Sequence, residues 1–146
     1  MKIERGQNMK ISTKGRYALR VMVDLAENAG QGFVPLKDIG ERQNISVKYL
    51  EQIIALLSKA ELVKGMRGNG GGYCLSKKAS DYKIGEIFRA AEGTVEISED
   101  EKENENCYEF WRGFEKAIDS YIDGQTLEDV LKNRASARRD PSIWIL

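Results

Sequence analysis

The sequence predicts a mostly α-helical fold with a small β-hairpin wing: a winged helix-turn-helix followed by a C-terminal dimerisation helix. Three observations predict it. A short helix and a tight turn lead into a second helix capped by Ser46. The stretch "RGNGGGYCL", residues 67 to 75, follows at once and reads as a hairpin turning on glycines. Further on, Trp111, Phe114, Ile118, Tyr121 and Ile122 recur at helical spacing as an aromatic stripe.

A chain of 146 residues suggests one compact domain with an appended element. At 41% hydrophobic and 32% charged it can build a core and stay soluble. No apolar run approaches the ~18 residues of a membrane span, so no membrane partner is expected. The opening Met1-Lys2-Ile3-Glu4-Arg5-Gly6 lacks the apolar stretch of a signal peptide. Cys74 and Cys107 make no disulfide framework, and the expected location is cytoplasmic. The chain has no histidine, which removes the commonest general base and the commonest metal ligand together. Ser-His-Asp, Cys-His and His-rich zinc sites are excluded, and the chain is read as not an enzyme.

The net charge of zero conceals a division. Residues 1 to 78 carry 14 Lys/Arg and 7 Asp/Glu, whereas residues 79 to 146 carry 9 and 16. A basic half joined to an acidic half points to nucleic acid on one side and a separate task on the other.

Along the chain, Met9-Lys10-Ile11-Ser12 looks like a second start, which makes residues 1–8 a flexible N-terminal extension. Ser12 or Thr13 can cap a first helix whose inner face is Tyr17, Ala18, Val21, Met22, Leu25 and Ala26, ending at Gly30-Gln31-Gly32. Pro35 introduces a short helix with Leu36 and Ile39 inward, and a turn follows at Gln43-Asn44-Ile45. The helix after Ser46 turns Tyr49, Leu50, Ile53, Ile54 and Leu57 to the core.

Leu62 to Arg67 and Gly72 to Leu75 then read as two strands. Nucleotide-binding readings of the glycines fail on detail. A Walker loop needs Gly-Lys-Ser/Thr opening a helix, and the third glycine of a dinucleotide fingerprint would fall on Tyr73. In a wing, the glycines let the turn lie close to a sugar-phosphate backbone. Lys64 and Arg67 supply charge there, and Arg67 suits a narrow A·T-rich minor groove.

A further helix carries Ile84, Ile87, Phe88 and Ala91 inward and stops at Gly93. Residues 9–93 are therefore taken as the DNA-binding domain. The stretch 94–106 is an acidic, solvated loop, and residues 107–146 are the dimerisation helix and C-terminal tail. The aromatic stripe either folds back on its own domain or pairs with a second copy. Thr126 and Asp129 resemble a capping arrangement for a last helix through Leu127, Val130 and Leu131. The tail from Pro141 to Leu146 is apolar.

"MKISTKGRYALRVMVDLA", "VPLKDIGERQNISVKYLEQII", "LVKGMRGNGGGYCLSK" and "GEIFRAAEG" together resemble the Rrf-two family of bacterial winged-helix transcriptional regulators, from Met9 to about Leu131. The resemblance implies a homodimer built on the long helix, with one winged helix per half-site of double-stranded DNA. It implies a recognition helix from Ser46 to Lys59, with Ser46, Lys48, Tyr49 and Gln52 at the major groove. Tyr49 equally fits the core face. Glu51 corresponds to a position that tunes sequence preference. On charge alone, Lys10, Lys14, Arg16, Lys48, Lys64 and Arg67 are expected to reach phosphates. Arg67, Gly68, Asn69 and Gly70 correspond to the wing at the minor groove.

Cluster-binding members of the family carry three cysteines before the long helix; here that segment holds only Cys107. Three-cysteine ligation is absent, so no resident cofactor is expected. The cysteine-poor, acidic loop is more similar to the cysteine-metabolism repressor, which responds through a partner protein. The expected function is a homodimeric, sequence-specific DNA-binding regulator, a repressor responding to a metabolite or a partner such as a metabolic enzyme. Two competing readings are an iron–sulfur or redox sensor using Cys107 with non-cysteine ligands, and a winged-helix module that binds protein rather than DNA.

Overall fold

Helix α1, Thr13–Glu27, forms where the apolar spacing is helical, and it buries Ala18, Val21, Met22 and Leu25 as one stripe. The structure, a computed structural model, describes residues 11–93 and 105–139. The expected N-terminal extension, Met9-Lys10, the loop up to residue 104 and the tail after Arg139 lie outside the described residues.

The cap of α1 departs from expectation. Ser12 occupies the N-cap position but makes no side-chain cap to its own helix. Its hydroxyl instead donates to Glu92, whose Oε1 also accepts from the Gly15 N–H at 2.9 Å. A carboxylate from a distant helix thus satisfies the orphan amide that a local cap would have taken, and its negative charge suits the positive end of the helix. At the other end, the Asn28 side chain donates to the Asp24 carbonyl at 2.8 Å, and one 3-10 turn, Ala29–Gln31, leads to Gly32.

Helices α2, Leu36–Gln43, and α3, Val47–Lys59, make the helix-turn-helix. Asn44 ends α2 in the left-handed region, which asparagine tolerates, and its N–H donates to the Gly40 carbonyl. Ser46 then caps α3 by accepting from the Tyr49 N–H at 3.2 Å. Strands β1, Val63–Met66, and β2, Gly72–Leu75, pair antiparallel, with Val63 opposite Leu75 and Met66 opposite Gly72. Val34 adds an edge to this hairpin through mutual backbone bonds with Tyr73 of 2.7 and 2.8 Å.

Helix α4, Ile84–Glu92, ends at Gly93 in a positive-φ conformation. Helix α5, Glu105–Asp123, is followed by α6, Leu127–Arg139. The start of α6 is a reciprocal cap: Thr126 N–H donates to Asp129 at 2.9 Å, and Asp129 N–H donates to Thr126 Oγ1 at 3.1 Å.

One core joins α1, α2, α3, α4, the hairpin and α6. Met22, Leu25, Ile39, Leu50, Ile53, Leu57, Ile87 and Leu127 are all but wholly buried in it. Each such side chain stabilises by roughly 1.5–3 kcal/mol. Leu127 is the finding among them: the chain after α5 returns to the winged domain, and α6 packs on α1 and on the Ala79–Asp81 turn.

Candidate nucleic-acid interface

Helix α3 divides cleanly. Leu50, Ile53, Ile54 and Leu57 are buried, while Ser46, Lys48, Glu51 and Gln52 are exposed. Gln52 can donate and accept toward a base edge, Lys48 can only donate, and Glu51 can only accept. Ser46 spends an oxygen lone pair on the cap and keeps its hydroxyl proton free to donate.

Tyr49 is half-buried, with its ring edge-on to Tyr17 at 5.6 Å. The guanidinium of Arg20 lies 4.9 Å over the other ring, Tyr17, and donates to the Gln43 side chain and carbonyl. Arg20 thus ties α1 to the last turn of α2, next to the start of α3. The sequence reading overlooked Arg20; its place one turn after Tyr17 and Arg16 was the available signal.

Asp24 is a second overlooked residue. It is 1% exposed and accepts from Arg42 Nε at 3.0 Å, Arg42 Nη2 at 2.8 Å and Gln43 Nε2 at 2.9 Å. This fork holds α2 against α1, and its hydrogen bonds to Asp24 raise the Arg42 pKa against the opposing effect of burial. A buried acid carries no periodic signature, so sequence alone shows only one charge on an apolar face.

At the wing, Lys64, Arg67, Gly68, Asn69 and Gly70 are all exposed. Gly68 and Gly70 turn the chain at φ of 93° and 75°, conformations that L side chains rarely adopt. Gly72, at φ of 147°, has a second reason: a Cβ there would run into the Val34 carbonyl group. The base of the wing hangs on Tyr82, which is fully buried. Its hydroxyl donates to the Leu62 carbonyl at 2.7 Å and accepts from the Ser76 and Lys77 N–H groups at 2.8 and 3.2 Å.

Lys14 and Arg16 are exposed on the first turns of α1, with Arg16 lying 3.5 Å from Thr13 Oγ1. Lys10, a further expected phosphate contact, lies outside the described residues.

On α5, Trp111, Phe114, Ile118 and Ile122 are half-buried, and Tyr121 is 70% exposed. Phe110, 67% exposed, and Tyr108 extend the apolar surface toward the helix start. Phe110 was overlooked although Phe110, Phe114, Ile118 and Ile122 form an i, i+4 series. Edge-on ring contacts at 5.1 and 5.6 Å link Phe110 to Trp111 and Trp111 to Phe114.

The cysteines do not make a three-cysteine site. Cys107 is exposed in the first turn of α5, and Cys74 is half-buried in β2. Two thiols on separate elements, in a chain without histidine, cannot provide three thiolates to one cluster. Among the described residues, no group of three His, Cys, Asp or Glu side chains is arranged to hold a metal ion. No described helix is long and apolar enough to cross a membrane.

A family model described as an iron-dependent transcriptional regulator, Rrf2, matches residues 11–133. The HTH-type transcriptional regulator CymR of Bacillus subtilis is 42% identical over 125 residues, covering 84% of this chain and 89% of CymR. The solved structure of CymR, described as the global cysteine regulator of B. subtilis, superposes with a TM-score of 0.75 at 40% identity. It covers 86% of this chain and 98% of that one. The structure of T. potens IscR gives a TM-score of 0.76 at 42% identity, covering 89% and 91%.

Proposed function

The chain belongs to the Rrf2 family of transcriptional regulators, and on that premise we propose that it works in the cytoplasm as a homodimeric repressor. It is a sequence-specific DNA-binding regulator and not an enzyme. In this reading each protomer presses α3 into a major groove and lays its wing along the neighbouring minor groove. The observation that carries the reading is the division of α3, with Ser46, Lys48, Glu51 and Gln52 exposed beside a cationic glycine wing and the opposite face buried.

The α5 surface supports the dimer. Phe110, Trp111, Phe114, Ile118 and Tyr121 make an apolar strip that a second copy would cover about a two-fold axis. The signal reaching this dimer is a metabolite or a partner protein such as a metabolic enzyme, because the donor set for a three-cysteine cluster is missing. The likeness to a cysteine regulator supports the same choice.

Selecting bound fragments from a pool of genomic DNA tests the function directly. A palindromic consensus is the expected result. With six phosphate contacts per complex, log K against log salt should fall with a slope of roughly −5. A duplex affinity indifferent to salt would exclude the interface, and a visible cluster band after anaerobic purification would exclude the cofactor-free sensor.

A further inference from the structure

Arg89 of α4 reaches two carboxylates of α5 at once. Its Nη1 donates to Asp123 Oδ1 at 2.8 Å, and its Nη2 donates to Asp123 Oδ2 at 2.9 Å and Asp119 Oδ1 at 3.1 Å. Asp119 and Asp123 lie one turn apart on the same helix face. A planar guanidinium held at both nitrogens fixes orientation as well as distance, which a point charge does not.

The surrounding backbone is built to the same contact. Gly85 lies one turn before Arg89 on α4 and is buried. A Cβ at Gly85 would collide with the Asp123 carboxylate and stand 2.7 Å from Arg89 Nη1. Beside it, the Ile84 N–H donates to the Gln125 carbonyl at 2.9 Å and the Leu127 N–H donates to the Tyr82 carbonyl at 3.0 Å. The last two turns of α5 are thus tied to the winged domain, while Tyr108 and Phe110 near its start stand exposed.

We infer that Arg89 is a positioning residue that sets the angle at which α5 leaves the winged domain, and thereby the half-site spacing that the dimer accepts. The inference rests on the dimeric reading above. In such a dimer α5 is the lever between the two-fold axis and each recognition helix. One added base pair turns a half-site by roughly a tenth of a helical turn, so a stiff lever rejects it and a loose one follows it. The guanidinium holds the Asp123 carboxyl below its usual range, chiefly through the hydrogen bond.

The test uses the full chain and the consensus palindrome recovered by selection, with its half-sites moved apart or together one base pair at a time. The wild type should prefer its best spacing over either neighbour by at least about tenfold. Arg89→Met should reduce that preference below about threefold while staying dimeric and binding an unrelated duplex within about twofold of wild type. A folded, dimeric Arg89→Met protein with an unchanged spacing profile overturns the inference. Arg89→Lys, which keeps the charge and loses the fork, should fall between the two and serves if Arg89→Met does not fold. Hydrogen exchange separates the clamp from the dimer. In Arg89→Met the amides of residues 119–123 should exchange at least about tenfold faster with α3 unchanged, and unchanged exchange there also overturns the inference. A wild type that is monomeric, or indifferent to spacing, overturns the dimeric reading and the spacing role with it.

Discussion

The buried hydroxyl of Tyr82 donates to the carbonyl of Leu62 across the base of the wing, 2.7 Å away. Leu62 closes the connection from α3 into β1, and Ser76 and Lys77, whose amides bond the same hydroxyl, leave β2. One side chain therefore holds both legs of the hairpin that carries Arg67.

Tyr82→Phe should keep the fold and lose stability. It strands the Leu62 carbonyl and two amides, and a buried group left without a partner costs about 1–3 kcal/mol. Urea unfolding should show the loss with the slope unchanged, and operator affinity should fall because the wing is less firmly aimed. A variant as stable as wild type would mean water replaces the hydroxyl.

Arg67→Ala should cost about 1–3 kcal/mol of operator binding and relax preference locally, as expected for a side chain that enters a groove. Lys48→Ala, carried by both protomers, should weaken all duplexes more evenly and reduce the salt slope by about two if each copy touches only phosphate. Gel-shift titrations over a salt series separate the two. Operator binding unchanged in Arg67→Ala would remove the wing from the interface.

Ile118→Glu sets two like charges near the proposed two-fold seam, where unpaired burial is expensive. The variant should sediment as a monomer and lose operator affinity although every proposed DNA-contacting residue is intact. Ile118 is half-buried within the protomer, so circular dichroism must accompany the sedimentation run. A folded dimer that binds normally would remove α5 as the interface.

Acid should weaken the hold on α5. The Asp123 carboxyl is held below its usual range, with the Arg89 hydrogen bond the largest cause. A depressed carboxylate contributes stability that is present above its unfolded pKa and lost as pH falls through the folded one. Stability should therefore be level near neutrality and decline below about pH 4. Both partners are partly exposed, which screens the pair and keeps the effect modest. Asp123→Asn should remove part of this acid dependence, and urea titrations at neutral and acid pH would show an unchanged dependence if the pair contributes nothing.

Elements whose signals are local could be read along the chain. Ser46 with Tyr49 and Thr126 with Asp129 are caps spanning three residues, and Leu50, Ile53, Ile54 and Leu57 repeat with the helix. Gly68 and Gly70 of the wing act through their own backbone angles. The exposed face of α3 was legible for the same reason, since it is what remains when the apolar face is taken away. The remaining contacts form only on folding. Glu92 replaced Ser12 as the cap of α1 from some eighty residues away, Val34 joined Tyr73, Arg42 found Asp24, and Arg89 found Asp119 and Asp123. Periodicity reports which side of an element meets the core, and these contacts are single pairings between elements. Their partners are chosen by how close the folded chain brings them, a distance that no spacing along the sequence encodes.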